Sequence, residues 1–105
     1  MYSVDEVMKR YPDRIPIYVE KSPDCKSNIA QIEKHKYLVP FDMSMGNFMY
    51  VIRKNIKLKP NEAIFLFINK NTLAPTSSIL GELYKQYKSD DKMLHVCYTS
   101  ENTFG

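Results

Sequence analysis

The sequence is short of the residues that do covalent or metal chemistry. Its two cysteines, Cys25 and Cys97, lie far apart and in no metal-ligand spacing, so they suggest neither a metal site nor a disulfide framework. Cys25 stands among Ser, Pro, Asp and Lys, as loop residues do. Cys97 alternates with its neighbours in a β-like run and reads as a half-buried thiol. The two histidines, His35 and His95, are isolated in sequence, so a Cys–His nucleophile has only scattered residues behind it. We therefore expect no catalytic residue, no metal and no bound cofactor. No apolar run approaches the length of a membrane-spanning helix. Residues 1–11, MYSVDEVMKRY, lack the apolar core of a signal peptide. No low-complexity tract is present. Together these absences point to a cytoplasmic chain.

What is present suits one packed domain, residues 1–105. A hydrophobic content of 44% is enough for a single core, and a charged content of 26% argues against disorder. The net charge of +3 is uneven: residues 1–59 carry 11 Lys/Arg against 7 Asp/Glu, whereas residues 60–105 carry 4 against 5. A basic first half attracts acidic peptides, anionic headgroups or nucleic acid without choosing among them. Neither an RNA-recognition aromatic motif nor a basic arm is present, and the net charge is modest, so nucleic acid is not an expected partner.

The chain is organised around residues 34–54, KHKYLVPFDMSMGNFMYVIRK. Tyr37, Leu38 and Val39 are β-formers stopped by Pro40, so 36–40 reads as a strand. Asp42 and Ser44 are both candidate N-caps for a helix over 44–55, in which Met45, Phe48, Met49 and Ile52 recur at helical spacing. Tyr37, Val39, Met43, Phe48, Val51 and Ile52 carry more apolar surface than one core face accepts. Either they build a plain helix-on-strand core, or they leave a groove flanked by Lys34, Lys36, Arg53 and Lys54.

The remaining elements follow from local pattern. Residues 3–10 read as a short helix capped by Ser3 and ended by Tyr11-Pro12. Residues 13–21 read as a strand with Ile15, Ile17 and Val19 on one face and Pro16 and Tyr18 on the other. Pro16 implies a sheet edge or a strand start. Ile29 and Ile32 are expected to tuck a polar connection onto the core. The run 63–68, AIFLFI, suits a strand covered on both faces. A turn at 69–71 and an irregular stretch at 73–75 follow, then a helix capped by Ser77 or Ser78. The last strand spans 93–98, and 99–105 reads as a flexible tail. This order predicts an α+β fold of ubiquitin-like β-grasp type. Its four-stranded mixed sheet carries two helices, and an extra short N-terminal helix over residues 1–11 precedes it.

Four stretches make the reading specific: YPDRIPIYVEK (11–21), KYLVPFDMSMGNFMYVIRKNIKL (36–58), AIFLFINKNTLAPTSSILGELYKQYK (63–88) and SENTFG (100–105). Together they resemble the autophagy ubiquitin-like modifiers of the GABARAP type, the autophagy-related protein 8 family, over most of the chain. The resemblance implies a modifier, not an enzyme. It implies joining of the C-terminal glycine to phosphatidylethanolamine on autophagosomal or related vesicle membranes. Activating and conjugating enzymes would do this through thioesters, and a deconjugating cysteine protease would reverse it. Gly105 carries over as the lipid-conjugation site and Phe104 as its recognition neighbour. Many relatives carry residues beyond this glycine that a cysteine protease removes; with the sequence stopping at Gly105, either that step is unnecessary or the chain is already trimmed. The unlipidated form is expected to be a monomer.

The resemblance also implies capture of receptor peptides with an aromatic residue and, three positions on, an aliphatic one. Val7, Pro16, Lys36, Leu38 and Met93 match the aromatic pocket. Tyr37, Val39, Pro40, Met43, Phe48, Val51 and Ile52 match the aliphatic pocket. Arg14, Lys34, Lys36 and Arg53 match positions that receive acidic residues. Phe41 stands where the family has a small residue, and Tyr18 where it has a smaller aliphatic. The alternative reading is a soluble peptide-binding module that is never conjugated.

Overall fold

The computed structural model of the chain describes residues 4–23, 25 and 29–100. Among these, the elements run α1 (Val4–Arg10), β1 (Arg14–Lys21), β2 (Lys36–Pro40), α2 (Met45–Asn55), β3 (Phe65–Ile68), β4 (Thr72–Leu73), α3 (Leu80–Tyr87) and β5 (Leu94–Thr99). Asp5 and Glu6 in the first turn of α1, with Lys9 and Arg10 in its last, match the helix dipole. Ser3, the expected cap, lies outside the described residues.

The strands form one mixed sheet in the order β2-β1-β5-β3-β4. β1 pairs antiparallel with β2 and parallel with β5, while β3 pairs antiparallel with both β5 and β4. The sheet thus has five strands rather than the expected four. The added one, β4, is two residues long and closes a tight turn in which Asn71 N–H donates to Ile68 O (3.2 Å). Asn69 and Lys70, the two central residues of that turn, have φ of 51° and 73°. Both being left-handed makes this a hairpin turn whose twist matches the strands it joins.

Pro16 does not mark an edge, because β1 lies inside the sheet. Phe41 N–H donates to Asp13 O (3.0 Å) and Val19 N–H to His35 O (2.8 Å). With the register Ile15↔Val39 and Ile17↔Tyr37, odd residues of β1 turn their backbone groups toward β2. The Pro16 nitrogen therefore faces β5, whose pairing begins one residue later at Ile17↔Leu94. The missing N–H costs the ladder nothing.

The core lies on one face of the sheet. Ile15, Ile17, Val19, Leu66, Ile68, Leu94, Val96 and Tyr98 meet Met45, Phe48 and Ile52 of α2 and Leu80 of α3, all buried. The β3 run is buried only at alternate residues. Leu66 and Ile68 face the helices, and Phe65 and Phe67 stay half-buried on the other face, so this strand is not covered on both sides. Ile29 and Ile32 are buried as expected. The Tyr98 hydroxyl fastens their segment, accepting from Ile32 N–H (2.8 Å) and donating to Ala30 O (2.7 Å). Thr99, placed in the tail by its sequence, is a buried strand residue opposite Phe65.

The helix starts are cross-tied. Ser44 caps α2 by accepting from Asn47 N–H (3.1 Å). Neither Ser77 nor Ser78 caps α3, whose N-cap is Ile79 with no side-chain bond. Leu80 N–H donates to Met43 O (2.9 Å) and Gly81 N–H to Phe41 O (2.8 Å), so backbone carbonyls already satisfy groups a serine would serve. In return Met45 N–H donates to Ser78 O (2.8 Å) and Gly46 N–H to Thr76 O (2.9 Å).

Candidate functional site: an open strand edge beside a cavity

β2 is an edge strand. Its odd residues bond to β1, so Lys36, Leu38 and Pro40 turn their backbone groups outward. Pro40 has no N–H, and its carbonyl accepts from Met43 N–H (3.2 Å). Among the described residues, Lys36 and Leu38 therefore offer both N–H and C=O to a visiting strand, and the offer stops at Pro40.

Side chains alternate across this edge. On the face away from the core, a cavity of about 220 Å³ is lined by Val4, Val7, Pro16, Lys36, Tyr37, Leu38 and Met93. All five residues expected for the aromatic pocket meet here, brought from α1, β1, β2 and the residue before β5. Sequence reasoning missed Val4, although its spacing of three from Val7 puts both on one helix face. Tyr37, expected only in the aliphatic pocket, borders this cavity as well.

The other face of β2 meets α2. Tyr37 and Val39 are buried there, and the Tyr37 ring stands edge-on to Phe48 at 5.5 Å between centroids. Burial holds the Tyr37 hydroxyl above its usual pKa. Met43 and Val51 are half-buried; Pro40 is half-buried as well, but alternates with Val39 and so shares the face of Lys36 and Leu38. Phe48 and Ile52 are 0% exposed, which corrects the expectation that they line a surface pocket: they lie inside the core. The basic positions also divide. Arg14, Lys34 and Lys36 are exposed, and Lys34 Nζ sits 5.0 Å from the Tyr37 ring centroid. Arg53 instead donates to Glu62 O (2.7 Å) and Lys59 O (3.1 Å), clasping the loop after α2.

A second cavity of about 250 Å³ is lined by Glu20, Asn69, Lys70, Ser89, His95, Val96 and Cys97. It lies away from the β2 edge and shares with the first cavity neither a residue nor an open strand. His95 Nε2 lies 2.7 Å from Asp91 Oδ2, and the ring packs on Tyr18 at 5.5 Å. Partial desolvation works upward on the Asp91 carboxyl. Met93 N–H, donating at 3.0 Å, and the His95 ring outweigh it and hold the carboxyl below its ordinary value. Cys97 is 3% exposed. Among the described residues no group of His, Cys, Asp and Glu is arranged to hold a metal ion, and no helix is long and apolar enough to cross a membrane.

A family model described as "Autophagy protein Atg8 ubiquitin like" matches residues 1–105. The chain belongs to the Atg8 family. Autophagy-related protein 8 of Schizosaccharomyces pombe is 50% identical over 99 residues, covering 94% of this chain and 79% of that one. Autophagy-related protein 8d of Arabidopsis thaliana is 48% identical over 99 residues, covering 94% and 80%. The crystal structure of Trypanosoma brucei ATG8 superposes with a TM-score of 0.85 at 37% identity, covering 96% of this chain and 84% of that one. The fold is thus the ubiquitin-like β-grasp, and the chain is a ubiquitin-like autophagy modifier. Atg8-family membership brings with it a conjugation machinery, receptor partners and association with autophagosomes.

Proposed function

We propose that this Atg8-family chain is conjugated through Gly105 to phosphatidylethanolamine and then presents the β2 edge as a receptor for aromatic-x-x-aliphatic peptides. It catalyses nothing itself. The Gly105 carboxyl, activated with ATP, forms a thioester with a cysteine of the activating enzyme and then of the conjugating enzyme. The ethanolamine nitrogen attacks the thioester carbonyl, an amide forms and the thiol leaves. A glycine suits this route because a chain end without a side chain enters a narrow channel. Phe104 would be read alongside it, and a cysteine protease would reverse the step. Two acyl chains, at about 0.8 kcal/mol per buried methylene, anchor the product at the membrane.

The observation that carries the peptide reading is an open strand with a cavity on the face away from the core, while Met43 and Val51 stand half-buried on the α2 side. A peptide added to β2 sends successive side chains to alternate faces. Two anchors reach opposite faces only at odd spacing, and a spacing of three is the shortest that clears an intervening pair. The aromatic residue enters beside Val7, Pro16, Lys36, Leu38 and Met93. The aliphatic residue rests on Met43 and Val51 over the buried Tyr37, Val39, Phe48 and Ile52. Each buried anchor contributes about 1.5–3 kcal/mol before ordering costs, so micromolar binding near −8 kcal/mol is expected. Arg14, Lys34 and Lys36 meet acidic residues beside the motif and govern on-rate and salt dependence more than affinity.

Incubation with activating and conjugating enzymes, ATP and phosphatidylethanolamine vesicles tests the first half. A gel shift that Gly105→Ala abolishes is expected, and an undiminished shift in that variant would overturn it. Full cellular rescue by a form lacking Gly105 would favour the unconjugated peptide-binding module instead.

A further inference from the structure

The aromatic cavity has one firm wall and one weakly held wall. Met93 supplies the firm one. The turn that carries it is fastened by Lys92 N–H to Ser89 O (2.8 Å), Ser89 N–H to Met93 O (2.9 Å) and Tyr84 hydroxyl to Lys92 O (2.7 Å). Asp91 adds two further ties, to Met93 N–H and to His95. Val4 and Val7 of α1 supply the other wall. α1 has seven residues and none is buried. A helix this short has little stability of its own.

The chain anchors the end of α1 near β1 through Tyr11 N–H to Val7 O (2.9 Å) and Arg14 N–H to Tyr11 O (3.1 Å). Toward its start, the Lys92 ammonium donates to Asp5 Oδ1 at 2.6 Å, across 87 residues of sequence. That bond lifts Lys92 above the ordinary lysine pKa. Lys92 also holds a left-handed backbone, φ 66°. The residue that supplies the tie thus directly precedes the residue that supplies the firm wall.

We propose that the Asp5–Lys92 ion pair is a specificity latch, which holds α1 against the fixed 89–93 turn and so sets the width of the aromatic cavity. The cavity, at about 220 Å³, is smaller than a typical small-molecule site, so it takes one side chain and its width decides which ring enters. Both partners are more than half exposed, at 58% and 66%. Such a pair biases the wall without locking it, and salt weakens it. With the latch closed, the narrower phenyl ring fits. With it open, α1 yields and the broader indole gains. Asp5 and Lys92 act here as positioning residues, through Val4 and Val7.

This inference rests on the peptide-binding reading above. Calorimetric titration of the full chain with two peptides, identical except for Trp or Phe at the aromatic position, tests it. We expect Asp5→Asn and Lys92→Asn each to move the Trp-to-Phe affinity ratio toward Trp by about two- to fivefold. Asn tolerates the left-handed backbone at residue 92, so charge and conformation are separated. The swapped pair, Asp5→Lys with Lys92→Asp, should restore the wild-type ratio. High salt should shift the ratio in wild type and leave it still in Asp5→Asn. An unchanged ratio in both single variants, or no restoration in the swap, overturns the latch while leaving peptide binding intact. A wild-type chain that binds neither peptide overturns the peptide-binding reading and the latch with it.

Discussion

The ring of Phe41 lies on the backbone of Gly81: a Cβ at residue 81 would stand 2.3 Å from the ring carbons. Gly81 N–H donates to Phe41 O at the same contact (2.8 Å), and Lys85 Nζ covers the ring at 5.2 Å. The tie seats α3 against the loop that leaves the edge strand. Gly81→Ala should therefore destabilise by about 1–3 kcal/mol through overpacking, although alanine is the better helix former. Urea denaturation measures it. Adding Phe41→Ala should recover part of the loss, and no recovery would mean that the clash lies elsewhere.

Lys36 lines the cavity beside β2 yet is exposed. Lys36→Ala should weaken binding of an acidic aromatic-x-x-leucine peptide several-fold and leave the melting temperature nearly unchanged. A large fall in stability with unaltered affinity would show that this lysine supports the fold instead.

The turn between β3 and β4 forces a lysine into a left-handed backbone at residue 70. Asn-Gly is the favoured pair for a turn of this kind. Lys70→Gly should therefore stabilise by up to about 1 kcal/mol, against the usual cost of adding a glycine. Denaturant midpoints decide it, and a loss of stability would show that the Lys70 side chain does more than turn the chain.

Asp91 gives a pH dependence. Its carboxyl is held below the ordinary value of 3.8 in the folded chain. A depressed carboxyl stabilises above its unfolded pKa, and that contribution fades as pH falls through the lower folded value. The melting-temperature gap between wild type and Asp91→Asn should be full at neutral pH and close below about pH 4. A gap that persists at pH 2 would assign the difference to shape rather than charge.

The parts of the fold legible in the sequence were those set by neighbours along the chain. The KYLVP strand, a cap at Asp42 or Ser44 and the alternation of Ile15, Ile17 and Val19 all rest on local pattern; the structure shows the strand and the alternation, and takes Ser44 of the two caps. The five residues expected to form an aromatic pocket came from family resemblance, and they line one cavity because α1, β1, β2 and the approach to β5 meet only in three dimensions. Distant partners defeated the rest. Pro16 sits inside the sheet because β5 begins pairing one residue beyond it. The serines before α3 go unused because carbonyls of Phe41 and Met43 arrive first. Arg53 is drawn to a loop that no periodicity could place beside it. Phe48 and Ile52 matched pocket positions, yet their helix turns them fully inward.

Pro40 carries one more consequence. An exposed strand edge is a template on which like chains stack into fibres, and copies tethered side by side on a vesicle would be crowded enough to try. Here the template runs out at once: past Leu38 the edge presents a proline with no donor, whose carbonyl is already claimed by Met43. The frontage is long enough to hold a short guest and too short to nucleate a polymer of its hosts.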